Sequence, residues 1–436
     1  MRILMISDVY FPRVNGVSTS IQTFARDFAG KGHAVTLVAP DYGQGRGAAR
    51  PERRNADKAR PVSAHPDLPC DGFDPHGFEI LPIPSRYLPV DPEDRILRAG
   101  QIRRHHERLA ARGYDLVHIQ TPFVAHYAGL RIARRLGVPV IESYHTFFEL
   151  YLDKYVKFLP SSLLRLATRR FSAAQCRDVD ALVVPSRAMR QVLESYGVQT
   201  PAEVIPTGIE LDRFDHGDGQ RFRRRHGIGP NRPVLVHVGR LAFEKNIDFL
   251  LRMLRRVRRV VPDVLLIIAG EGPARRSLEA LTAELGLTGN AFFVGYLSRD
   301  GALEDCYCAG DAFVFASRTE TQGLVLLEAM ALGVPVVSTA VMGTKEVLDD
   351  GKGSLIAADD ENDFARKAAS LLTDADRRAT LGEQARAYAR TWSSPALADR
   401  MLAFYESVID AAGKVPIRAE PGPRPLRNVC RGSDRS

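Results

Sequence analysis

The chain is poor in cysteine, and its five residues of that type stand apart as Cys70, Cys176, Cys306, Cys308 and Cys430. An odd, scattered set makes no disulfide framework, so reduced thiols are expected. Cys306 and Cys308 lack C-x-x-C spacing and a second pair, which points to buried structural cysteines rather than a zinc site. Long apolar runs are missing too. No window approaches the roughly 18 residues of a membrane span, and "DVLLIIAG" (Asp263–Gly270) is of strand length. The opening "MRILMISDVY" has a single basic residue and no small-residue cleavage site, so it reads as a buried first strand and not a signal peptide. The loop after it is no G-x-G-x-x-G fingerprint and holds no P-loop lysine, and no nucleic-acid motif appears. These absences exclude a disulfide-stapled domain, a membrane-spanning protein and a P-loop nucleotidase.

Basic residues are in excess, 60 against 52 acidic, for a formal net charge of +8 that calls for an anionic partner. At 436 residues the length predicts two domains. Strand-like and helix-like runs alternate from the start. "RILMISD" leads to a helical stretch over Ser18–Lys31 and then to "HAVTLVAP" (His33–Pro40). Near-continuous apolar strands of this kind belong to parallel sheets covered on both faces. "YDLVHIQ" (Tyr114–Gln120), "VPVIESYH" (Val138–His145) and "ALVVPS" (Ala181–Ser186) continue the pattern. It restarts after "VIPTGIELDRF" (Val204–Phe214) with strands at Pro233–Arg240, Asp263–Gly270, Ala291–Gly295, Ala312–Ser317 and Val334–Ala340. The phrase "LGVPV" occurs in both halves, at Leu136–Val140 and Leu332–Val336, each time where a helix ends at glycine and a turn feeds a strand.

The predicted architecture is therefore α/β, with two doubly wound domains facing across a cleft. Residues 1–200 form the first and 205–392 the second. A helix over 393–412 crosses back to the first domain. Segments 42–77, rich in Pro, Gly and Arg, and 413–436 are expected to be a flexible insertion and a disordered tail. Ligands of open parallel sheets bind at the carboxyl ends of the strands, so the cleft is the expected site.

Three places along the chain carry candidate chemistry. In "DVYFPRVNGVSTSIQTF", Gly16 opens a helix whose free amides suit an anion. In "HVGRLAFEKNIDFLL", Arg240 ends a strand and Lys245 precedes a helix, two cations placed for a diphosphate. In "SRTETQGLVLLEAMALGVPVV" (Ser317–Val337), Glu320 lies in a loop and Glu328 about a turn into the helix that Gly323 begins. The amides of Gly323, Leu324 and Val325 are left bare as a phosphate cradle between two carboxylates. No D-x-D triplet stands at a strand end to hold a metal, and Arg240 with Lys245 can take a metal's place.

"GRLAFEKN" together with "ETQGLVLLEAMALGVPVV" resembles the family 4 retaining glycosyltransferases of the GT-B fold and their E-x7-E motif. "NGVSTS", "VHIQTPF" and "SYHTFFELYL" extend the likeness over nearly the whole chain and look most like the lipid-glycosylating subgroup, which includes glucosyl-diacylglycerol and phosphatidylinositol mannoside synthases. The resemblance implies two Rossmann-like domains, an acceptor-binding first and a nucleotide-sugar-binding second. It implies a UDP- or GDP-linked hexose as donor, no separate cofactor, no metal, and retention of configuration by front-face attack. By matching motif, Arg240 and Lys245 would neutralise the leaving diphosphate. Glu320 would grip the sugar hydroxyls and Glu328 the ribose. Gly16 and the amides near Gly323 would contact phosphate or sugar, and His145 would stand at the sugar near the reaction centre. Many relatives carry an aromatic residue where Gln322 stands.

A basic stretch interleaved with aromatics and leucines, Tyr151–Arg177, and a second basic stretch, Arg95–Gly113, fall in the expected acceptor domain. Such segments lie on anionic bilayers with the apolar face down. The expected partners are a nucleotide sugar, an anionic membrane surface and a lipid acceptor such as diacylglycerol or a glycolipid, with no nucleic acid. The expected location is cytoplasmic, peripheral on the inner face of the cytoplasmic membrane. A soluble or polysaccharide acceptor is the alternative for the same chemistry. A sugar-nucleotide epimerase and a non-catalytic nucleotide-sugar-binding protein are the alternatives from other classes.

Overall fold

The computed structural model of the chain describes residues 1–13, 15–42, 77–87, 95–145, 161–349 and 351–413. The expected insertion at 43–76, the tail at 414–436 and the 151–160 part of the first basic stretch lie outside the described residues. Strands β1 (Arg2–Ile6), β2 (Ala34–Asp41), β3 (Glu79–Tyr87), β4 (Arg95–Leu97), β5 (Leu116–Ile119), β6 (Val140–Ser143), β7 (Ala181–Val184) and β8 (Ala202–Val204) form one sheet. Its order is β4-β3-β2-β1-β5-β6-β7-β8. Strands β9 (Val234–Val238), β10 (Leu265–Ala269), β11 (Ala291–Gly295), β12 (Ala312–Phe315), β13 (Val336–Ser338) and β14 (Ser354–Ile356) form the second, in the order β11-β10-β9-β12-β13-β14. Both are doubly wound sheets whose strand order reverses beside the first strand, between β1 and β5 and between β9 and β12.

Sequence dictates this directly in the central strands. Ile3 to Ile6 are wholly buried, as are Val234, Leu235 and Val236, because helices cover both faces of each sheet. Most of the expected strands are present and shortened at their ends, whereas β2 runs one residue past its expected range to Asp41 and β8 and β14 were not expected. The sheet edge was not foreseen. β3 pairs with β2 in parallel, but β4 joins β3 antiparallel, and only at Ser85–Tyr87. Pro82 and Pro84 lack an N–H to donate, so the outer edge finds a partner only beyond them. The basic stretch Arg95–Gly113 is accordingly two elements, β4 and a helix over Ala99–Ala110.

The first helix spans Gly16–Gly30 and opens at Gly16 as expected, and Asn15 caps it by accepting from the Ser18 amide at 2.9 Å. It buries Ile21, Phe24, Ala25 and Phe28 on the first sheet. The last helix, Ser394–Gly413, lays Leu397, Met401, Leu402 and Tyr405 on the same core, and the Tyr405 hydroxyl meets His118 Nδ1 at 2.5 Å. The repeated "LGVPV" has the same role in both halves: Gly137 and Gly333 follow helices Val124–Leu136 and Leu324–Ala331 and lead to β6 and β13. Cys176 and Cys306 are free and buried.

The two crossing segments between the sheets pair with each other. Ile209 donates to the Trp392 carbonyl at 2.8 Å, and Ser394 donates back to the Ile209 carbonyl at 3.1 Å. A Cβ on Gly208 would stand 2.4 Å from Ser394 Cα, so only glycine permits this approach. Among the described residues, no helix is long and apolar enough to cross a membrane.

Candidate active site

All nine residues singled out in the sequence line one cleft of about 470 Å³ between the sheets. They reach it because the loops after β1, β6, β9 and β12 open on the same side, at or beside the two points where strand order reverses.

On the wall of the second sheet, β9 is followed by Gly239 and Arg240, and a short 3-10 turn over Phe243–Lys245 aims Lys245 back into the cleft. Lys245 Nζ donates to Glu320 Oε1 at 2.5 Å. Burial pushes the Glu320 carboxyl up, but the charge and hydrogen bond of Lys245 outweigh it and hold the pKa below the ordinary value. Arg240 Nη1 lies 4.0 Å from Glu244 Oε1. Each of the two cations at this strand end thus has a carboxylate beside it, which the sequence does not show. Lys245 and Glu320 are an ion pair, and Arg240 has an acidic neighbour. The physical reason is desolvation: a partly buried cation takes a counter-charge from the loop beside it.

Glu328 is buried to 4% exposure and both its oxygens are engaged. Arg299 Nη2 donates to Oε1 at 3.3 Å and the Tyr307 hydroxyl to Oε2 at 2.7 Å. Burial, then the neighbouring Glu328, pushes the Tyr307 phenol well above its usual pKa, so it stays a donor. A carboxylate has about four acceptor sites, and these two bonds orient it without exhausting it. Between the glutamates, Gly323 caps helix Leu324–Ala331 at φ 94°, with no side-chain acceptor on the first amides. That left-handed conformation is open to glycine and strained for any other residue.

The opposite wall belongs to the first sheet. A Cβ added at Gly16 would meet nothing within 4 Å, so the helix start is open to the cleft. His145 follows β6, and its Nε2 meets Gln120 Oε1 at 3.1 Å. Burial pushes its pKa down to about 4, which leaves a neutral imidazole at ordinary pH. Its backbone carbonyl accepts from Thr321 Oγ1 at 3.1 Å, a bond directly across the cleft. Glu142, at 3% exposure, also lines this wall; its Oε2 meets His126 Nδ1 at 3.0 Å, and His126 Nε2 lies 3.6 Å from Asp178. Burial pushes the Glu142 pKa up.

Three further residues of the cleft escaped the sequence reading. Glu142 could have been found as a charge at the end of an otherwise apolar strand, "VPVIESYH", and Gln120 as its counterpart in "VHIQTPF". Arg299 follows the strand "AFFVG" but stands among ordinary loop residues. Gln322 was noticed without a role. It is buried, with Oε1 accepting from the Thr207 amide at 2.8 Å and Nε2 donating to the Thr207 carbonyl at 2.6 Å.

Two doubly wound sheets with a cleft at both reversal points, one wall rich in ion-paired cations and helix-start amides, are the arrangement expected of a GT-B glycosyltransferase. Known proteins agree. Residues 218–388 match the glycosyl transferases group 1 family, and residues 14–213 match glycosyltransferase family 4. The chain is 32% identical over 351 residues to the alpha-monoglucosyldiacylglycerol synthase of Streptococcus pneumoniae, covering 78% of this chain and 71% of that protein. It is 28% identical to a GDP-mannose-dependent alpha-mannosyltransferase of Mycolicibacterium smegmatis, over 96% of this chain and 100% of that one. The crystal structure of Anabaena HepE in complex with UDP-glucose superposes with a TM-score of 0.69 at 18% identity, covering 93% of this chain and 100% of that one. The chain belongs to glycosyltransferase family 4.

Proposed function

We propose that the protein transfers a hexose from a UDP- or GDP-linked donor to the hydroxyl of a membrane lipid, with retention and without a metal ion. The observation that carries this reading is the Lys245–Glu320 pair beside the Gly323-capped helix start, facing His145 across the cleft. A GDP-mannose-dependent relative and the UDP-glucose complex of a fold neighbour support a nucleotide-sugar donor. A glucosyldiacylglycerol synthase among the relatives supports a lipid acceptor.

In this reading the amides of Gly323, Leu324 and Val325 take the donor phosphates, and Glu328, fixed by Arg299 and Tyr307, takes the ribose hydroxyls. Lys245 keeps one N–H on Glu320 and turns its remaining donors to the diphosphate. Arg240 stands with it, so charge building on the leaving oxygen meets fixed cations instead of a metal. Glu320 and His145 hold the sugar, and the Gly16 amide meets phosphate or sugar from the other wall. The sugar C1–O bond to the diphosphate breaks while the acceptor oxygen bonds C1 from the same face. The acceptor proton passes to the departing phosphate oxygen. The Glu142 carboxylate, fixed by His126, offers its second oxygen to the acceptor.

A membrane-facing surface is supported by Phe123, Tyr127, Leu166 and Phe171, which are large, apolar and 40–53% exposed. Exposed Arg131, Arg134, Arg165 and Arg170 stand on the same helices, Val124–Leu136 and Ser161–Arg177. Purified protein, offered UDP- and GDP-hexoses with diacylglycerol in anionic vesicles and then with soluble sugars, tests the whole reading. Transfer to the lipid, unaffected by EDTA, is expected. Product only with soluble acceptors would remove the lipid assignment, and loss of turnover in EDTA would remove the metal-free mechanism.

A further inference from the structure

Gln322 sits between two residues of the donor wall, Glu320 and Gly323, yet its side chain turns away from the cleft contacts assigned above. Its amide pairs with both backbone polar atoms of Thr207, as a neighbouring strand would. Thr207 lies in the segment that joins the two sheets. Its hydroxyl donates to Ser20 Oγ at 2.8 Å, and Ser20 is buried on the first helix, one turn beyond Gly16. Farther along the same segment, Glu210 accepts from Thr23 Oγ1 at 2.9 Å and pairs with Arg26 at 2.5 Å. Ile209, between them, is bonded to Trp392 on the returning chain. One polar chain thus runs from the donor loop through the linker to the helix whose start faces the other wall.

We propose that Gln322 is a positioning residue that couples the donor loop to the interdomain linker. A nucleotide whose phosphates rest on the Gly323 cradle orders that loop. Gln322 passes the change to Thr207 and so to the first helix, setting the gap between donor and acceptor walls. Any aromatic side chain at this position would lack the paired donor and acceptor that Thr207 requires. The inference rests on the proposed nucleotide-sugar donor. A ligand shifts such an element only through contacts that differ between its two states, so the coupling itself must be measured.

Trp392 is the sole tryptophan of the chain and is bonded to the linker, which makes its emission a reporter of this segment. UDP and GDP are titrated into wild type, Gln322→Glu and Ser20→Ala, following calorimetric affinity, Trp392 emission and steady-state kinetics. Gln322→Glu keeps the shape but loses the donor to the Thr207 carbonyl. Nucleotide is expected to shift Trp392 emission in the wild type. Gln322→Glu is expected to bind nucleotide within about threefold of wild type, lose most of that shift and fall at least about 20-fold in kcat. Ser20→Ala, at the far end of the chain, is expected to lose about three- to tenfold in kcat with affinity unchanged, and it carries the test if Gln322→Glu does not fold. Equal losses of affinity and kcat with the Trp392 response intact would make Gln322 a purely local support and overturn the coupling, as would wild-type behaviour in both variants. A wild type that binds neither UDP nor GDP would overturn the donor reading along with it.

Discussion

At the scale of single residues, the cleft is organised by pairs. Lys245 and Glu320 hold each other, Glu328 is held by Arg299 and Tyr307, and Glu142 by His126. Paired groups do not contribute independently, which sets the expected kinetics. Lys245→Ala and Glu320→Ala are each expected to lower kcat by about 100-fold or more, the scale of losing one fixed electrostatic contact in the transition state. The double variant should lose much less than the product of the two, because each single change already breaks the same pair. Strict multiplicativity in initial rates would show that the two act separately. Glu142→Gln addresses the other wall. It should raise the acceptor KM by about tenfold or more, since one hydrogen bond to a charged group is worth about 1.5–3 kcal/mol. The donor KM should move less than about twofold; a larger donor effect would place Glu142 in the wrong subsite. The bare motifs showed Lys245, Glu320 and Glu328 but not their partners, because the pairs join positions as far apart as 245 and 320.

Among the elements, the donor loop and its helix decide most. Gly323 holds a φ of 94°, and a Cβ there would come within 3.1 Å of both Leu326 and Thr344. Gly323→Ala is expected to cost about 1–2 kcal/mol of folding stability through backbone strain alone. It should also weaken nucleotide binding by tilting the first amides of the helix. Urea unfolding and calorimetry with UDP and GDP measure the two effects, and a variant as stable as wild type would contradict the geometry. The glycine, the helix and both glutamates could be read from "ETQGLVLLEAMALG". So could most central strands, since continuous apolar runs admit few alternatives to a strand covered on both faces. Strands β3 and β4 could not. A sequence with Pro82 and Pro84 carries no strand signal of its own, and it becomes one only because β2 offers an edge to pair with.

For the molecule as a whole, buried neutral histidines set the response to acid. Burial pushes His118 down to about 3 and His237 to about 4, from an ordinary 6.5. Between those values and 6.5 the unfolded chain binds protons that the native state refuses. Stability therefore falls as pH drops below about 6.5, by up to about 1.4 kcal/mol per pH unit for each group. Asp8 acts with the opposite sign. Burial raises its pKa from 3.8 to about 6, so the native state binds its proton first, and acidification through that window favours folding. Glu142 and His126, whose pKa values the fold raises, act with Asp8. His145, His33 and His226, whose values it lowers, add to the histidine side, where the loss is expected to prevail. The urea midpoint is expected to fall from pH 7 to pH 5, and a flat or rising midpoint would show that these histidines are protonated in the native state.

Sequence alone determined the alternation of strands and helices, the two-sheet division, and nine of the residues that face the cleft. Local pattern suffices for these, since apolar periodicity, glycine at helix ends and charges at strand ends act over a few neighbouring positions. Only the tertiary structure decided how those charges are satisfied. It paired Lys245 with Glu320, fixed Glu328 between Arg299 and Tyr307, and gave Gln322 its partner in Thr207. Burial is a property of the folded whole. A polar group withdrawn from water takes whichever partner the crossing of distant segments brings within reach.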